Sequence, residues 1–394
     1  MNMMNRKIIE NFSFQEYQAY LDSLEEKGFR KYVDNGSDGL EGCVWNSVYT
    51  KDHLVVTVIY IDKTHKCYIT EMKDLPLSEH FIHRENSLDK VSQNAKTRLH
   101  MPELHSMGNS FIIQLKNGHF ILDDGGMRAD ALYLLDYLEQ LVSGGEKPVV
   151  DAWFLSHGHI DHVGVLLDFG SHPEYAERII VEGVYFCEPD EEVCERWNMT
   201  EVIQKVKLGI QNCKTSRSEQ TPIYRPQTGQ RYYFQEVTVD VLHTQEQLPL
   251  EAYENGFNES STWLLYTIEG QRFLHGGDAG KGAVVAVIDN YGPECLDFDI
   301  MATFHHGQNI FNTYLNAVRY KTVLYTTFVS GSQTANYKEA ENKRLQERAE
   351  EYMSWGDGTK ILTFPYQVGT AQSLPPRKWI YHPDREIPKL HKNG

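Results

Sequence analysis

The densest concentration of reactive side chains is the segment Ser156-His157-Gly158-His159-Ile160-Asp161-His162. Three imidazoles and one carboxylate fall within six residues, in a chain with 17 histidines among 394 residues, so chance accounts poorly for the cluster. Imidazole and carboxylate are the ligands that suit zinc, iron and manganese. A tight turn through Gly158 lets His157 and His159 reach one ion while Asp161 and His162 reach a second. One cluster cannot complete two metal sites, and further donors follow two other apolar runs. Arg272–His275 runs into Gly276-Gly277-Asp278, where the glycines leave the carboxylate free to bridge two ions. Phe298–Phe304 runs into His305-His306-Gly307. Singly, an Asp after Gly-Gly is usually a turn residue and a His pair a surface feature. Here each follows an apolar strand that would end at the same edge of a sheet. The expected chemistry is hydrolysis. Two adjacent cations acidify a water from a pKa of about 15.7 towards neutrality, giving hydroxide at pH 7, and polarise the scissile bond. No G-x-S-x-G elbow, phosphate-binding Gly-Lys loop or catalytic Cys signature competes with that reading.

The elements that must position these residues are legible in the hydrophobic pattern. Val149–Leu155 is a continuous apolar run, as a buried strand requires, and it stops at Ser156. Before it, Asn109–Leu115 and His119–Asp123 read as a strand pair around Lys116-Asn117-Gly118, and Ala129–Val142 as a helix with an apolar stripe at Leu132, Leu135 and Leu138. After it come strand Arg178–Phe186, a helical stretch near 196–212, and strands Val237–His243, Ser261–Ile268 and Arg272–His275. Strand Phe298–Phe304 precedes a closing strand–helix–strand at Thr322–Val329, Tyr337–Trp355 and Lys360–Phe364. At the start, Phe14, Tyr17, Tyr20, Leu21 and Leu24 mark one face of a helix that Gly28 ends. Short β-like runs follow at Gly42–Tyr49, Leu54–Ile61 and Cys67–Met72, and 84–100 reads as a polar linker. The pattern predicts a small α+β accessory domain with its linker over 1–97 and a second domain over 98–394. Interleaved helices, strands and hairpins predict mixed sheets covered by helices.

His157-x-His159-x-Asp161-His162 has the signature form of the metallo-β-lactamase superfamily. Phe273-Leu274-His275-Gly276-Gly277-Asp278 is similar to its later aspartate motif, and Ser110 with Asp123-Asp124-Gly125-Gly126 resembles its first hairpin and acidic-glycine turn. His305-His306-Gly307, Asn258 before Ser260-Ser261, and the closing strand–helix–strand resemble most the soluble relatives of the hydrolase domain in the DNA-uptake channel of competent bacteria. The resemblance covers about 98–370 and leaves the N-terminal unit unmatched. It implies an α/β fold, an αββα sandwich with a two-metal site at one edge, holding two divalent cations with zinc foremost and manganese or iron as alternatives. By that resemblance His157 and His159 would hold the first metal. Asp161, His162 and one of His305 and His306 would hold the second, with Asp278 bridging. Asp161 would also orient the attacking hydroxide, and the remaining histidine of the pair would face substrate. The chain departs from the family pattern in three places. Asn258 stands where many relatives have a metal-binding His in a Gly-His-Thr turn, and the nearest His is His243. Val163-Gly164-Val165 replaces Gly-Gly after the signature. Gln308 follows His-His-Gly in place of a small hydroxyl residue.

Hydrophobic residues make up 41% and charged residues 24% of the chain, an average globular balance. The formal charge is 38 − 55 = −17, which disfavours duplex nucleic acid and points to a small-molecule substrate. The basic residues of the tail, Lys321, Lys338, Lys343, Arg344 and Arg348, are interleaved with Glu339, Glu341, Glu347 and Glu350, as on a solvated helix face. No apolar run approaches the roughly 18 residues that span a bilayer. With no secretory signal and six scattered cysteines lacking a CxxC pair, a cytoplasmic protein with reduced thiols is expected, and a homodimer is allowed. The leading expectation is a phosphodiesterase acting on a nucleotide or other small phosphodiester. The alternatives are a metal-dependent lactone, thioester or amide hydrolase and, last, a non-catalytic binding protein.

Overall fold

A computed structural model describes residues 5–34, 42–82, 95–245, 256–327 and 340–377. Three sheets organise it, of five, nine and seven strands. The five-stranded sheet is antiparallel and built from Asn5–Ile9, Arg30–Asp34, Val44–Lys51, Leu54–Ile61 and Lys66–Lys73. Helix Phe14–Glu26 covers one face, starting at a capping box in which Ser13 and Glu16 satisfy each other's backbone N–H groups. Its Tyr17, Leu21 and Leu24 pack on Tyr49, Val56, Val58 and Tyr60. The opposite face, through Val44, Ile59 and Ile61, is continuous with the core of the rest of the chain. Two strands of this sheet, Asn5–Ile9 and Arg30–Asp34, carry little apolar alternation and are not legible in the pattern. They are edge strands, held by the ladder and not by burial.

The nine- and seven-stranded sheets face each other and carry helices on their outer sides, so the architecture is the expected αββα sandwich. Phe111, Ile121 and Phe154 from the first sheet meet Tyr266, Phe273 and Ile300 from the second. Alternate residues of the same strands, such as Leu122, Trp153 and Leu155, point outward to helix residues Leu134, Leu138 and Val165. Both sheets are mixed. In the nine-stranded sheet Phe120–Asp124 runs parallel to Val149–Leu155 and antiparallel to Ser110–Gln114. In the other, Gln271–His275, Asp297–Ala302, Arg319–Tyr325 and Glu351–Ser354 are successive parallel neighbours. Tyr232 and Phe234, from the aromatic-rich stretch, are buried in the inter-sheet core beside Phe154 and Tyr185.

Some boundaries differ from the pattern-based expectation. The helix expected to run to Trp355 ends at Arg348, and Glu351–Ser354 is a strand. Parallel pairing with Thr322–Tyr325 decides this, a non-local interaction that a helical charge pattern conceals. The stretch near 196–212 is two helices, Glu191–Arg196 and Thr200–Asn212. Arg178–Phe186 contains two short strands, Ile180–Val181 and Val184–Phe186, separated by Glu182-Gly183. The linker expected at 84–100 lies outside the described residues as far as 94, and from Arg98 the chain is already strand. The beginning of the closing helix, 337–339, and Phe328-Val329 also lie outside them. Among the described residues, no helix is long and apolar enough to cross a membrane.

Candidate metal centre

Val149–Leu155 ends at Ser156, the chain turns through His157-Gly158-His159, and helix Ile160–Ser171 begins, with His159 as its extended N-cap residue. His157 and His159 therefore lie in the turn, and Asp161 and His162 in the first helical turn. At Gly158 the turn passes close to helix Thr200–Asn212, where a Cβ would stand 2.6 Å from Cδ1 at the movable tip of Ile203. Three backbone hydrogen bonds fix the start of the helix. Asn109 N–H donates to the Asp161 carbonyl (3.1 Å), Gly125 N–H to the His162 carbonyl (2.7 Å), and Gly164 N–H to the Gly126 carbonyl (2.9 Å).

The opposite sheet brings the remaining donors to the same edge. Asp278 follows strand Gln271–His275, and His305-His306 follow strand Asp297–Ala302. His305 and His306 both adopt left-handed backbone conformations (φ 49° and 55°), as does Asp124 (φ 58°). For residues other than glycine this costs of order 1–3 kcal/mol each, and such strain concentrates at functional sites.

Asp278 belongs to two groups of converging donors, and Asp123, Asp124 and His275 form a third. The ligand atoms of His157, His159 and Asp278 lie within 4.8 Å of one another, as do those of Asp161, His162, Asp278 and His306. His157 Nε2 is 3.0 Å from His159 Nδ1, His162 Nε2 is 3.1 Å from Asp278 Oδ1, and His306 Nε2 is 3.1 Å from Asp161 Oδ2. His305 stands outside both groups. Its side chain is 27% exposed, with Nε2 3.6 Å from Asp278 Oδ2 and Nδ1 3.4 Å from the Asn258 amide nitrogen. Asn258 thus lies at the site beside His305. His243, buried at the end of its strand, is in neither group. The open side of the centre is formed by His159, Asp161 and His305, each partly exposed.

Four residues that the pattern did not single out as site residues hold these donors in place. Asp124 Oδ1 accepts the Ser156 backbone N–H (2.8 Å), and its Oδ2 accepts from Ser156 Oγ and His162 Nδ1 (both 2.7 Å). Ser156 Oγ also lies 3.1 Å from His157 Nδ1. Thr326 Oγ1 meets His306 Nδ1 at 3.0 Å, and the Asn109 amide reaches towards Asp278 Oδ1 at 3.4 Å. The acidic residue before Gly125-Gly126 was the one sequence signal for this support. Thr326 left none.

The electrostatics suit cations. Burial, and then the neighbouring His162, push His157 well below its usual range, and His159 is lowered for the same reasons. Both imidazoles therefore offer lone pairs. Burial alone would lower His162, but the Asp278, Asp124 and Asp161 carboxylates together hold it well above its usual value. Burial would raise Asp278 and Asp161, yet the surrounding histidines, His162 foremost, keep both below the usual carboxylate range. The fully buried His162 Nε2 faces Asp278 Oδ1 at 3.1 Å and Asp161 Oδ2 at 3.9 Å without a well-formed hydrogen bond. An imidazole nitrogen aimed at two carboxylates, among further imidazoles, fits a divalent metal. A cleft of about 930 Å³ beyond Ile203, lined by Arg6, Met72, Lys207 and Arg225 among others, contains none of these donors.

A sandwich of two mixed sheets with histidine and aspartate donors converging at one edge defines a metal-dependent hydrolase. Residues 105–310 match the family model of the metallo-beta-lactamase superfamily, and the chain belongs to that superfamily. Among solved structures the chain is similar to Tm1679, described as a metal-dependent hydrolase of the beta-lactamase superfamily. The identity is 12% over 66% of this chain and 95% of that one, with a TM-score of 0.37. Zn(2+)-bound PqqB from Methylobacterium extorquens is 10% identical over 64% of this chain and 86% of that one, with a TM-score of 0.38. A metallo-beta-lactamase of Cronobacter sakazakii with a HARLDQ motif is 16% identical, with a TM-score of 0.31. That match covers 49% of this chain and 65% of the other, just under two thirds of its length. No curated protein matches the chain.

Proposed function

We propose that this hydrolase is a phosphodiesterase acting on a nucleotide or another small phosphodiester, with two divalent cations, zinc foremost. The sharing of Asp278 between two donor groups is the observation that carries the two-cation reading. His157, His159 and Asp278 would hold one ion, and Asp161, His162, Asp278 and His306 the other. When bound, two such ions lower the pKa of a coordinated water and neutralise charge on a phosphoryl group. Asp161, the more exposed of the two carboxylates, would orient the attacking water through Oδ2. His305, outside both groups and open to solvent, would protonate the leaving oxygen from Nε2. Neither Asn258 nor His243 is needed as a ligand in this scheme. Residues 1–97 would form the accessory domain and 98–394 the hydrolase, in a cytoplasmic protein. The resemblance of the closing segments to the competence-channel hydrolase domain supports the choice of phosphodiester.

A specific observation supports a second reading, hydrolysis of a lactone, thioester or amide. Among the described residues, every ion pair of Asp161 and Asp278 is with a histidine, and the side chain beside the exposed His305 is the neutral carboxamide of Asn258. The test is hydrolysis of bis(p-nitrophenyl) phosphate by protein loaded with zinc or manganese, beside Asp161→Ala. Turnover that disappears in the variant is expected. Silence of the metal-loaded wild type would overturn the phosphodiester reading in favour of carbonyl substrates.

A further inference from the structure

We propose that the buried pair Asp123–His275 is a positioning device that sets one half of the metal centre against the other, an inference that rests on the reading of that centre given above. The candidate ligands come from two different sheets. His157, His159, Asp161 and His162 follow a strand of the nine-stranded sheet, whereas Asp278 and His306 follow strands of the seven-stranded sheet. Their mutual placement therefore depends on what lies between the sheets. That layer is built mainly from apolar side chains such as Phe111, Ile121 and Phe273, whose contacts are non-directional and fix spacing better than register.

Asp123 and His275 interrupt this layer. They lie on the same strand faces as Ile121 and Phe273, two residues further along, and are 1% and 0% exposed. His275 Nδ1–H donates to Asp123 Oδ2 at 2.8 Å across the gap between the sheets, with the Phe111 ring edge-on to the imidazole at 5.1 Å. Both ends of the bond lead directly to the centre. Asp123 immediately precedes Asp124, which holds Ser156 and His162, and His275 is three residues before Asp278. His275 Nε2 is 3.9 Å from Asp124 Oδ2 and makes no hydrogen bond. The path from Asp278 through His275, Asp123, Asp124 and His162 closes on itself where His162 Nε2 meets Asp278 Oδ1 at 3.1 Å.

Stability alone does not account for such a pair. Desolvating a carboxylate and an imidazole is costly, and a well-packed apolar pair of similar volume is often as stable or more so. A directional bond does what an apolar pair cannot: it penalises sliding of one sheet against the other. Asp123 and His275 are accordingly positioning residues, acting on the metal through Asp124 and the strand end that carries Asp278.

The test separates positioning from packing by measuring metal affinity beside metal-free stability. Zinc is titrated against a competing chelator, and the cobalt-substituted protein is read by its visible absorption, for wild type, Asp123→Leu/His275→Phe, His275→Asn and Asp123→Asn. The double variant is expected to unfold cooperatively at or above the wild-type temperature when metal-free, yet to lose roughly 10- to 100-fold in zinc affinity with an altered cobalt spectrum. His275→Asn, whose amide N–H can replace Nδ1–H towards Asp123, is expected to recover most of that loss. Wild-type affinity and spectrum in a folded double variant would overturn the inference. So would a loss in His275→Asn as large as in the double variant. Should the double variant not fold, Asp123→Asn and His275→Asn decide alone: equal loss in both, in proportion to their destabilisation, refutes positioning. Failure of the wild type to bind zinc or cobalt would instead refute the reading of the centre itself.

Discussion

Gly164→Ala concentrates the structural argument in a single methyl group. Gly164 lies two residues after His162 on helix Ile160–Ser171, and its N–H is bonded to the Gly126 carbonyl. A Cβ there would stand 2.4 Å from the backbone N of Arg128, 2.5 Å from the carbonyl carbon of Met127 and 2.6 Å from the Gly126 oxygen. Carbon contacts relax at about 3.5 Å, so the helix must retreat by roughly 1 Å from a wall that is all backbone. Alanine is otherwise the better helix former by about 1 kcal/mol, so any net loss reports the collision. Overpacking of this kind costs about 1–3 kcal/mol. Asp161 and His162 ride on the same turn, and a displacement of that size should lower metal affinity by roughly 10- to 100-fold. Gly158→Ala is the internal control, because its obstacle is the tip of the Ile203 side chain, which can turn aside. The assays are urea unfolding of the metal-free protein and competitive zinc titration. If Gly164→Ala binds zinc as tightly as wild type, or loses no more stability than Gly158→Ala, the account of how this helix is seated is wrong.

Three further outcomes are expected. Asp124→Asn keeps the shape but cannot accept from Ser156 N–H, Ser156 Oγ and His162 Nδ1 together, so unfolding of the metal-free protein should show a loss of about 1–3 kcal/mol. In metal-free protein His162 is held above its unfolded value. Its contribution is therefore fully present below about pH 6.5 and lost as pH rises through the raised folded value. Asp161 and Asp278 are depressed, so theirs is present above about pH 3.9 and lost as pH falls through their folded values. Denaturant midpoints across pH 3–9 should follow both signs and should change when His162 or Asp278 is replaced. Removing bound metal with a chelator should lower the unfolding temperature. At a free metal concentration one hundred times Kd the stabilisation lost is about 2.7 kcal/mol, and an unchanged melt would contradict a folded-state metal site.

The chemistry was local in the sequence wherever one short segment delivered several donors to one place. His157, His159, Asp161 and His162 share a strand end and a helix start, so their types and spacing alone fixed how they would be presented. Asp278 and His305-His306 were legible because each follows an apolar strand, and in parallel strands such ends gather at one edge of a sheet. What the pattern could not decide is contact between residues far apart in the chain. His306 rather than His305 enters the donor group because two successive left-handed residues turn one ring inward and the other outward, a conformation only the surrounding packing enforces. Thr326 and the contact between Asp123 and His275 were hidden for the same reason, since a buried polar side chain has no periodicity and acquires meaning from a partner 20 to 152 residues away. The sequence by itself determined the ligand types, the hydrolysis they suit and mixed sheets covered by helices, because these follow from short-range spacing and hydrophobic alternation, while the sandwich was what the resemblance to the superfamily implied. The tertiary structure alone decided which donors meet and what holds them, because that depends on how two sheets are set against each other.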